Sequence, residues 1–314
     1  MVKSMKKISI GICCFNESKT VNRIYEAVKK EMDSLENYDY EIVFADNAST
    51  DGTREILRDI AKKDCRVKVI LNQTNVGIQK SGANMMSHLS GDAYIGIPCD
   101  FQEPPEMLPE FIKYWEQGYH IVWGQKTASK ENRIKYFFRS IYYKIIKLLS
   151  NTPQYEQVTG FGIQDMRIIK EWLELGDPTI SLRNIIGEWG YEVKLVPYIQ
   201  NKRKEGKSSY TIGKLLTFAI NSLVNTSLIP LRLVTLLGLF SSFISLLIGT
   251  IYLVYKVTHW TDLSMGMAPM LIGLFFLGSV QLFSIGIIGE YIGVTLRRIS
   301  KHVKVIEEEL INFD

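Results

Sequence analysis

Residues 91–108 read "GDAYIGIPCDFQEPPEML". An apolar run through Ile95 and Ile97 stops at Pro98 and delivers one carboxylate, Asp100. Gln102 stands two positions on, with Glu103 beside it, and Pro104 and Pro105 close the segment before a run of helical character. If the chain stays extended here, Asp100 and Gln102 point to the same side. An aspartate with one amide oxygen is a sparse donor set. It suits Mg2+ or Mn2+ held mainly through substrate phosphates, and it suits a solvated loop acid equally well.

The same order, apolar strand, polar loop, amphipathic helix, recurs along the first half of the chain. "KISIGICCF" reads as a strand before a helix over 19–35, and "YEIVFADN" as a strand before a helix over 51–63. "VKVILNQ" precedes a helix near 79–89, "DAYIGIPCD" one over 105–117, and "HIVWGQK" follows as a further strand. This alternation predicts an α/β domain with a mostly parallel sheet and helices on both faces. Ligands in such sheets sit beyond the carboxyl ends of the strands. Four polar strand ends therefore stand out: Phe15-Asn16-Glu17, Asp46-Asn47, 72–77 and 100–103. In "ADNASTDGT", Ser49 or Thr50 is expected to cap a helix beginning at Asp51, with Gly52 easing a tight turn. That local chemistry leaves the charge of Asp46, at the end of a buried strand, without a partner.

The 314 residues carry a net charge of +4, too mild to argue for a nucleic-acid partner. Cys13, Cys14, Cys65 and Cys99 show no CxxC spacing, which excludes the usual zinc patterns and a disulfide framework and leaves reduced thiols. His88, His120, His259 and His302 are scattered. The first residues superficially mimic a signal peptide, but the apolar stretch is short and Asn16-Glu17 follow it, so it reads as the first strand.

Composition changes after residue 228. Leu233–Tyr255 and Leu263–Gly289 each run without a charge. At ~1.5 Å per residue either helix can cross a hydrocarbon core of ~30 Å. Arg232 precedes the first run; Arg297, Arg298, Lys301 and Lys304 follow the second; the link carries Lys256, offset by Asp262. Basic flanks stay cytoplasmic, so both ends and the large N-terminal domain are expected to face the cytosol. Residues 133–150 form a basic amphipathic pattern suited to an anionic membrane surface, and 211–224 a similar apolar stripe without the basic face. Gly286, Gly289 and Gly293 would let helices approach closely. The expected division is 1–210 catalytic, 211–228 juxtamembrane, 229–293 two transmembrane helices and 294–314 a cytosolic tail.

In order, "CCFNES", "FADNASTDGT", "NVGIQKSGANMM", "GDAYIGIPCDFQEPPEML" and "KRKEGKSSY", ahead of two apolar runs, resemble the family 2 glycosyltransferases of GT-A (Rossmann-like) fold. More narrowly, the chain resembles the polyprenyl-phosphate transferases, the dolichyl-phosphate mannose synthase and bactoprenol glucosyltransferase group. The resemblance implies an inverting hexosyltransferase that moves a sugar, with UDP-glucose as expected donor, to polyprenyl (undecaprenyl) phosphate. It implies Mg2+ or Mn2+ as cofactor, a bacterial inner-membrane location with the catalytic domain in the cytoplasm, contact with membrane lipids and a homo-oligomer. On this likeness Phe15, Glu17 and Asp46 hold the nucleotide, and Asn75, Gly77 and Lys80 belong to the same substrate-binding set. Asp100 and Gln102 approach the metal and diphosphate. Arg203, Lys207 and Ser208 lie in a basic loop that closes over the phosphates, with Arg203 beside Asp100 in the catalytic role. Two departures matter. Pro98 replaces the first acid of the family's Asp-x-Asp, and Phe161 in "TGFGIQD" stands where many relatives carry a proposed base, with Asp165 nearby but not aligned. A phosphate acceptor, already largely dianionic near neutral pH, can attack without that base. Alternatives are transfer to another membrane lipid, whose hydroxyl would need a base, or a degenerate nucleotide-sugar-binding membrane protein.

Overall fold

The computed structural model describes residues 5–129, 155, 157–177, 181–201, 229–258, 267–299 and 304–313. The chain divides into two compact units. One holds the N-terminal part with 302–314, the other mainly 210–301.

In the first unit the strands are β1 (Lys6–Cys14), β2 (Tyr38–Asp46), β3 (Val67–Asn72), β4 (Ala93–Gly96), β5 (Ile121–Ser129), β6 (Val158–Asp165), β7 (Val193–Gln200) and β8 (Glu307–Ile311). The helices are α1 (Val21–Asp33), α2 (Thr53–Lys63), α3 (Ile78–Ser87), α4 (Leu108–Glu116), α5 (Met166–Glu174) and α6 (Leu182–Trp189), with a 3-10 turn at Pro105–Met107 ahead of α4. The sheet order is β7-β5-β6-β4-β1-β2-β3-β8. β1 pairs in parallel with β2 and β4, β2 with β3, and β5 with β7, whereas β6 runs antiparallel to β4 and β5, and β8 antiparallel to β3. The sheet is thus mixed with a parallel majority. The carboxyl ends of β1–β5 and β7 share one edge with the amino ends of β6 and β8.

Period-two alternation assigns the faces. Ile42 and Phe44 turn to one side, into a core shared with Val21, Ile24 and Val28 of α1, Leu57 and Ile60 of α2, and Phe111 and Ile112 of α4. Val43 and Ala45 turn to the other, under Met85 of α3 and Ile169 of α5. Full burial of each such side chain is worth about 1.5–3 kcal/mol, so the strand pattern and the two helical layers support one another. Gly162 is required where β6 pairs with β5, opposite Trp123. Its φ is +148°, and an added Cβ would lie 2.0 Å from the Val122 carbonyl oxygen.

β6, β7, β8, α5 and α6 lie beyond the strands and helices read from the sequence. β8 belongs to the 294–314 segment expected to be a tail, and it joins the sheet. The helix expected from Asp51 begins at Thr53: Gly52 is left-handed with φ +90° and stops the helix there. Neither Ser49 nor Thr50 caps it; the Thr53 N–H donates to Asp51 Oδ1 at 3.2 Å.

The second unit contains α7 (Ile229–Thr258) and α8 (Met267–Ile299). In α8 the window Phe276–Gly293 is long and apolar enough to cross a membrane, and none of it is buried within the protein. Gln281 and Glu290 are exposed on α8. The amphipathic segments at 133–150 and 211–224 lie outside the described residues, as do His259 and His302.

Candidate active site

The loops after β1, β2 and β3 are knitted together by short hydrogen bonds. After β1 the chain turns at Asn16, whose φ is +56°. The Asn16 N–H donates to Ser49 Oγ at 2.8 Å, and the Thr50 N–H donates back to Asn16 Oδ1 at 2.9 Å. The Glu17 N–H donates to Thr53 Oγ1 at 2.9 Å. Asn47 Nδ2 donates to Asn75 Oδ1 at 2.9 Å, and the Val76 N–H to Asn47 Oδ1 at 3.0 Å. Phe15 stands exposed between these loops and the solvent. Gly77, at φ +83°, lets its own N–H reach Asn75 Oδ1 at 3.1 Å just ahead of α3, and half-buried Lys80 follows in the first turn. Of the sequence-predicted site residues, Phe15, Glu17, Asp46, Asn75, Gly77, Lys80, Asp100 and Gln102 therefore lie at or just beyond the same sheet edge; Arg203, Lys207 and Ser208 lie outside the described residues.

Asp46 is 0 % exposed. Its Oδ2 accepts from the Ser49 N–H at 3.0 Å and from Arg54 Nε at 2.8 Å. Its Oδ1 is buried with no hydrogen-bond partner among the described residues. Arg54 is the partner that Asp46 lacked in the sequence reading. A buried carboxylate oxygen left over from such an arrangement is costly unless a ligand donates to it.

Asp100 and Gln102 do not lie on extended backbone. β4 ends at Gly96, Phe101 is left-handed at φ +57°, and the Gln102 N–H donates to Asp100 Oδ1 at 3.1 Å. The segment is an Asx turn, so the two residues meet through backbone and carboxylate rather than by alternation. Both are half-buried. Below them Glu103 is 7 % exposed; it accepts from Thr159 Oγ1 at 2.7 Å and from the Tyr198 hydroxyl at 3.3 Å. Burial pushes its carboxyl above the ordinary range, and the Asp100 charge adds to that; Thr159, the Lys126 cation and Tyr198 oppose them. The Asn201 N–H donates to the Gln102 carbonyl at 3.0 Å, tying β7 to the same loop. Sequence reasoning missed Arg54, Lys126, Thr159 and Tyr198 because each looks like an ordinary surface or strand residue until the sheet assembles.

Among the described residues no group of three or more His, Cys, Asp or Glu side chains could hold a metal. The oxygens of Asp100 and Gln102 are hard donors on a polar edge. They fit a divalent cation shared with a substrate diphosphate rather than one caged by protein alone. The two departures are also explained. Phe161 is 2 % exposed and packs edge-on against Phe111 at 4.9 Å and Tyr198 at 5.6 Å, so that position serves the core. Asp165 pairs in register with Ala93 at the far end of β6, where it accepts from Trp115 Nε1 and faces His120 Nδ1 at 2.7 Å. It is remote from the Thr159 end and unsuited to act as a base there. All four cysteines are free, and burial pushes the Cys13 and Cys99 thiols up to about 12, which leaves them unreactive near neutral pH.

The profile of the family "Glycosyl transferase family 2" matches residues 9–174. The chain is 30% identical over 288 residues to a "Bactoprenol glucosyl transferase" of Shigella phage SfX, covering 91% of this chain and 94% of that one. It is 28% identical over 301 residues to a "Prophage bactoprenol glucosyl transferase homolog" of Escherichia coli (strain K12), covering 96% and 98%. Among solved structures, mannosyl-3-phosphoglycerate synthase from Rubrobacter xylanophilus superposes with a TM-score of 0.50 at 12% identity, over 70% of this chain and 72% of that one, a likeness of fold.

Proposed function

The chain belongs to glycosyl transferase family 2 and is a glycosyltransferase; from that premise we propose that it transfers a hexose from a UDP-sugar to polyprenyl phosphate, with inversion, at the cytosolic face of a membrane. The observation that carries this reading is the gathering of Asp46, with one oxygen unspent, and the Asp100–Gln102 turn along one carboxyl edge. The names of the two curated relatives support glucose as the sugar and a polyprenyl lipid as acceptor. The apolar helices α7 and α8, the Phe276–Gly293 window and the basic residues flanking both runs support an integral protein with two spans and the 1–210 domain in the cytosol.

In this mechanism Asp46 accepts an N–H from the base, and Phe15, Glu17, Asn75, Gly77 and Lys80 line the nucleotide. Asp100 and Gln102 orient the donor diphosphate. Mg2+ or Mn2+ at these two residues would neutralise charge on the departing nucleoside diphosphate. Arg203, Lys207 and Ser208 are assigned to the same phosphates by family likeness. The acceptor phosphate, with a second pKa of ~6, attacks the anomeric carbon in line and needs no proton removed. A hydroxyl acceptor would need a base, and buried Phe161 supplies none. Asp100→Ala is expected to lower transfer from UDP-glucose to polyprenyl phosphate by at least ~100-fold in purified membranes supplied with Mg2+. Full activity in that variant would overturn the assignment.

A further inference from the structure

Asp46 sits on β2, but what orients it comes from elsewhere in the chain. Arg54, in the first turn of α2, spends its guanidinium on three anchors. Nε donates to Asp46 Oδ2 at 2.8 Å, Nη2 donates to the Asn72 carbonyl at the end of β3, and Nη1 donates to Glu308 Oε2 at 2.7 Å. Glu308 is the second residue of β8, which enters the sheet at this edge: Asn72 pairs with Glu307, and the Gln73 N–H donates to the Ile306 carbonyl at 2.9 Å. The strand is held by further bonds that do not touch Asp46. Arg58 Nη2 donates to Glu309 Oε2 at 2.8 Å, Asn84 Nδ2 to Glu307 Oε1 at 2.6 Å, and Asn312 Nδ2 to the Ala61 and Val67 carbonyls at 2.9 and 2.8 Å.

This arrangement decides which oxygen of Asp46 is spent. Arg54 and the Ser49 N–H both take Oδ2, and Oδ1 is left buried without a partner among the described residues. A carboxylate oxygen only accepts. It can take the imide N–H of a uracil-type base, whereas the corresponding ring nitrogen of cytosine carries no hydrogen and would meet it lone pair to lone pair. We propose that Glu308 is a positioning residue for nucleotide-base selection: acting through Arg54, the C-terminal strand holds Asp46 with Oδ1 turned to the base. This rests on the reading that Asp46 faces the base.

The test uses the full-length protein in detergent micelles, with UDP and CDP titrated calorimetrically in the presence of Mn2+. Glu308→Gln is expected to weaken UDP binding about threefold, the scale of one partly exposed ion pair, and to leave CDP binding unchanged, so that the preference for UDP narrows. Glu309→Gln removes Arg58's partner from the same strand and is expected to change neither. A Glu308→Gln protein that keeps the wild-type UDP-over-CDP preference overturns the proposal, as does a Glu309→Gln protein that shifts equally, because the effect would then be strand docking alone. Asp46→Asn separates the premise from the proposal. If it abolishes the UDP preference while Glu308→Gln does not alter it, the base reading stands and the relay falls. If Asp46→Asn binds both nucleotides as wild type does, the premise falls and the relay falls with it.

Discussion

Asp46 at the end of β2 and Asp100 in the loop beyond β4 were singled out by residue type and place alone, since a carboxylate at the carboxyl edge of a sheet needs a partner. Arg54 carried no such signal, because an arginine in the first turn of an amphipathic helix is ordinarily a solvated cation. A second buried carboxylate shows how burial and function separate. Glu41, on β2 toward the opposite edge, is 1 % exposed. Burial would raise its pKa, but Ser9 Oγ at 2.6 Å, the Ser90 N–H and hydroxyl at 2.7 Å, and the ammonium groups of Lys7 and Lys68 at 3.1 Å hold it down to about 2 from an ordinary 4.5. A depressed folded-state pKa contributes stability that is present above pH ~4.5 and is lost as the pH falls toward ~2, here up to about 3 kcal/mol. Denaturant unfolding followed by tryptophan fluorescence at pH 7, 4 and 2.5 should show that loss. Glu41→Gln should start less stable at pH 7 and lose less of its remaining stability over the same range.

Among the elements, β1 to β5 and α1 to α4 were legible in place and type from their period of two or 3.6; helix ends shift by a few residues, and β4 stops at Gly96 instead of running on to Asp100. β6 and β7 were not. Gly160 and Gly162 interrupt β6 with positive φ angles and Pro197 interrupts β7, so neither shows the uninterrupted apolar alternation that marks β1 and β2. β8 is harder still. "EEELI" has too little apolar character to announce a strand, and its carboxylates make sense only opposite Arg54, Arg58 and Asn84. By pairing with β3 it covers an edge that would otherwise present open N–H and C=O groups. Asn312→Ala removes two hydrogen bonds that pin the end of β8 to Val67, the first residue of β3, and to Ala61 in the last turn of α2. Amide exchange in β8 and on its β3 partners is expected to speed up about tenfold, as for ~1.4 kcal/mol of local stability. Hydrogen–deuterium exchange resolved to the 304–313 peptide measures it, with β1 peptides unchanged.

For the molecule as a whole, hydropathy divides the chain, and the helices α7 and α8 fall on the two apolar runs. The Phe276–Gly293 window leaves its side chains uncovered within the protein, which fits a hydrocarbon surround. Ile285 is exposed near the middle of that window. Ile285→Arg is expected to cost about 2.5–3.5 kcal/mol of insertion free energy. The measurement is the fraction of protein retained in carbonate-washed membranes, which should fall sharply against wild type while a conservative Ile285→Leu holds.

The order of β1 to β5 and α1 to α4, the acids Asp46 and Asp100 at or beyond strand ends and the two apolar runs after residue 228 were written in short-range pattern, because backbone period and side-chain polarity act over a few residues at a time. Which strands became neighbours, which carboxylate oxygen was left unspent and where the C-terminal segment docked were set by contacts that only a folded sheet creates. Arg54 and Glu308 are 254 positions apart in the chain. No local periodicity can announce a pair whose two members become neighbours only after β3 to β7 and the apolar helices have been traversed.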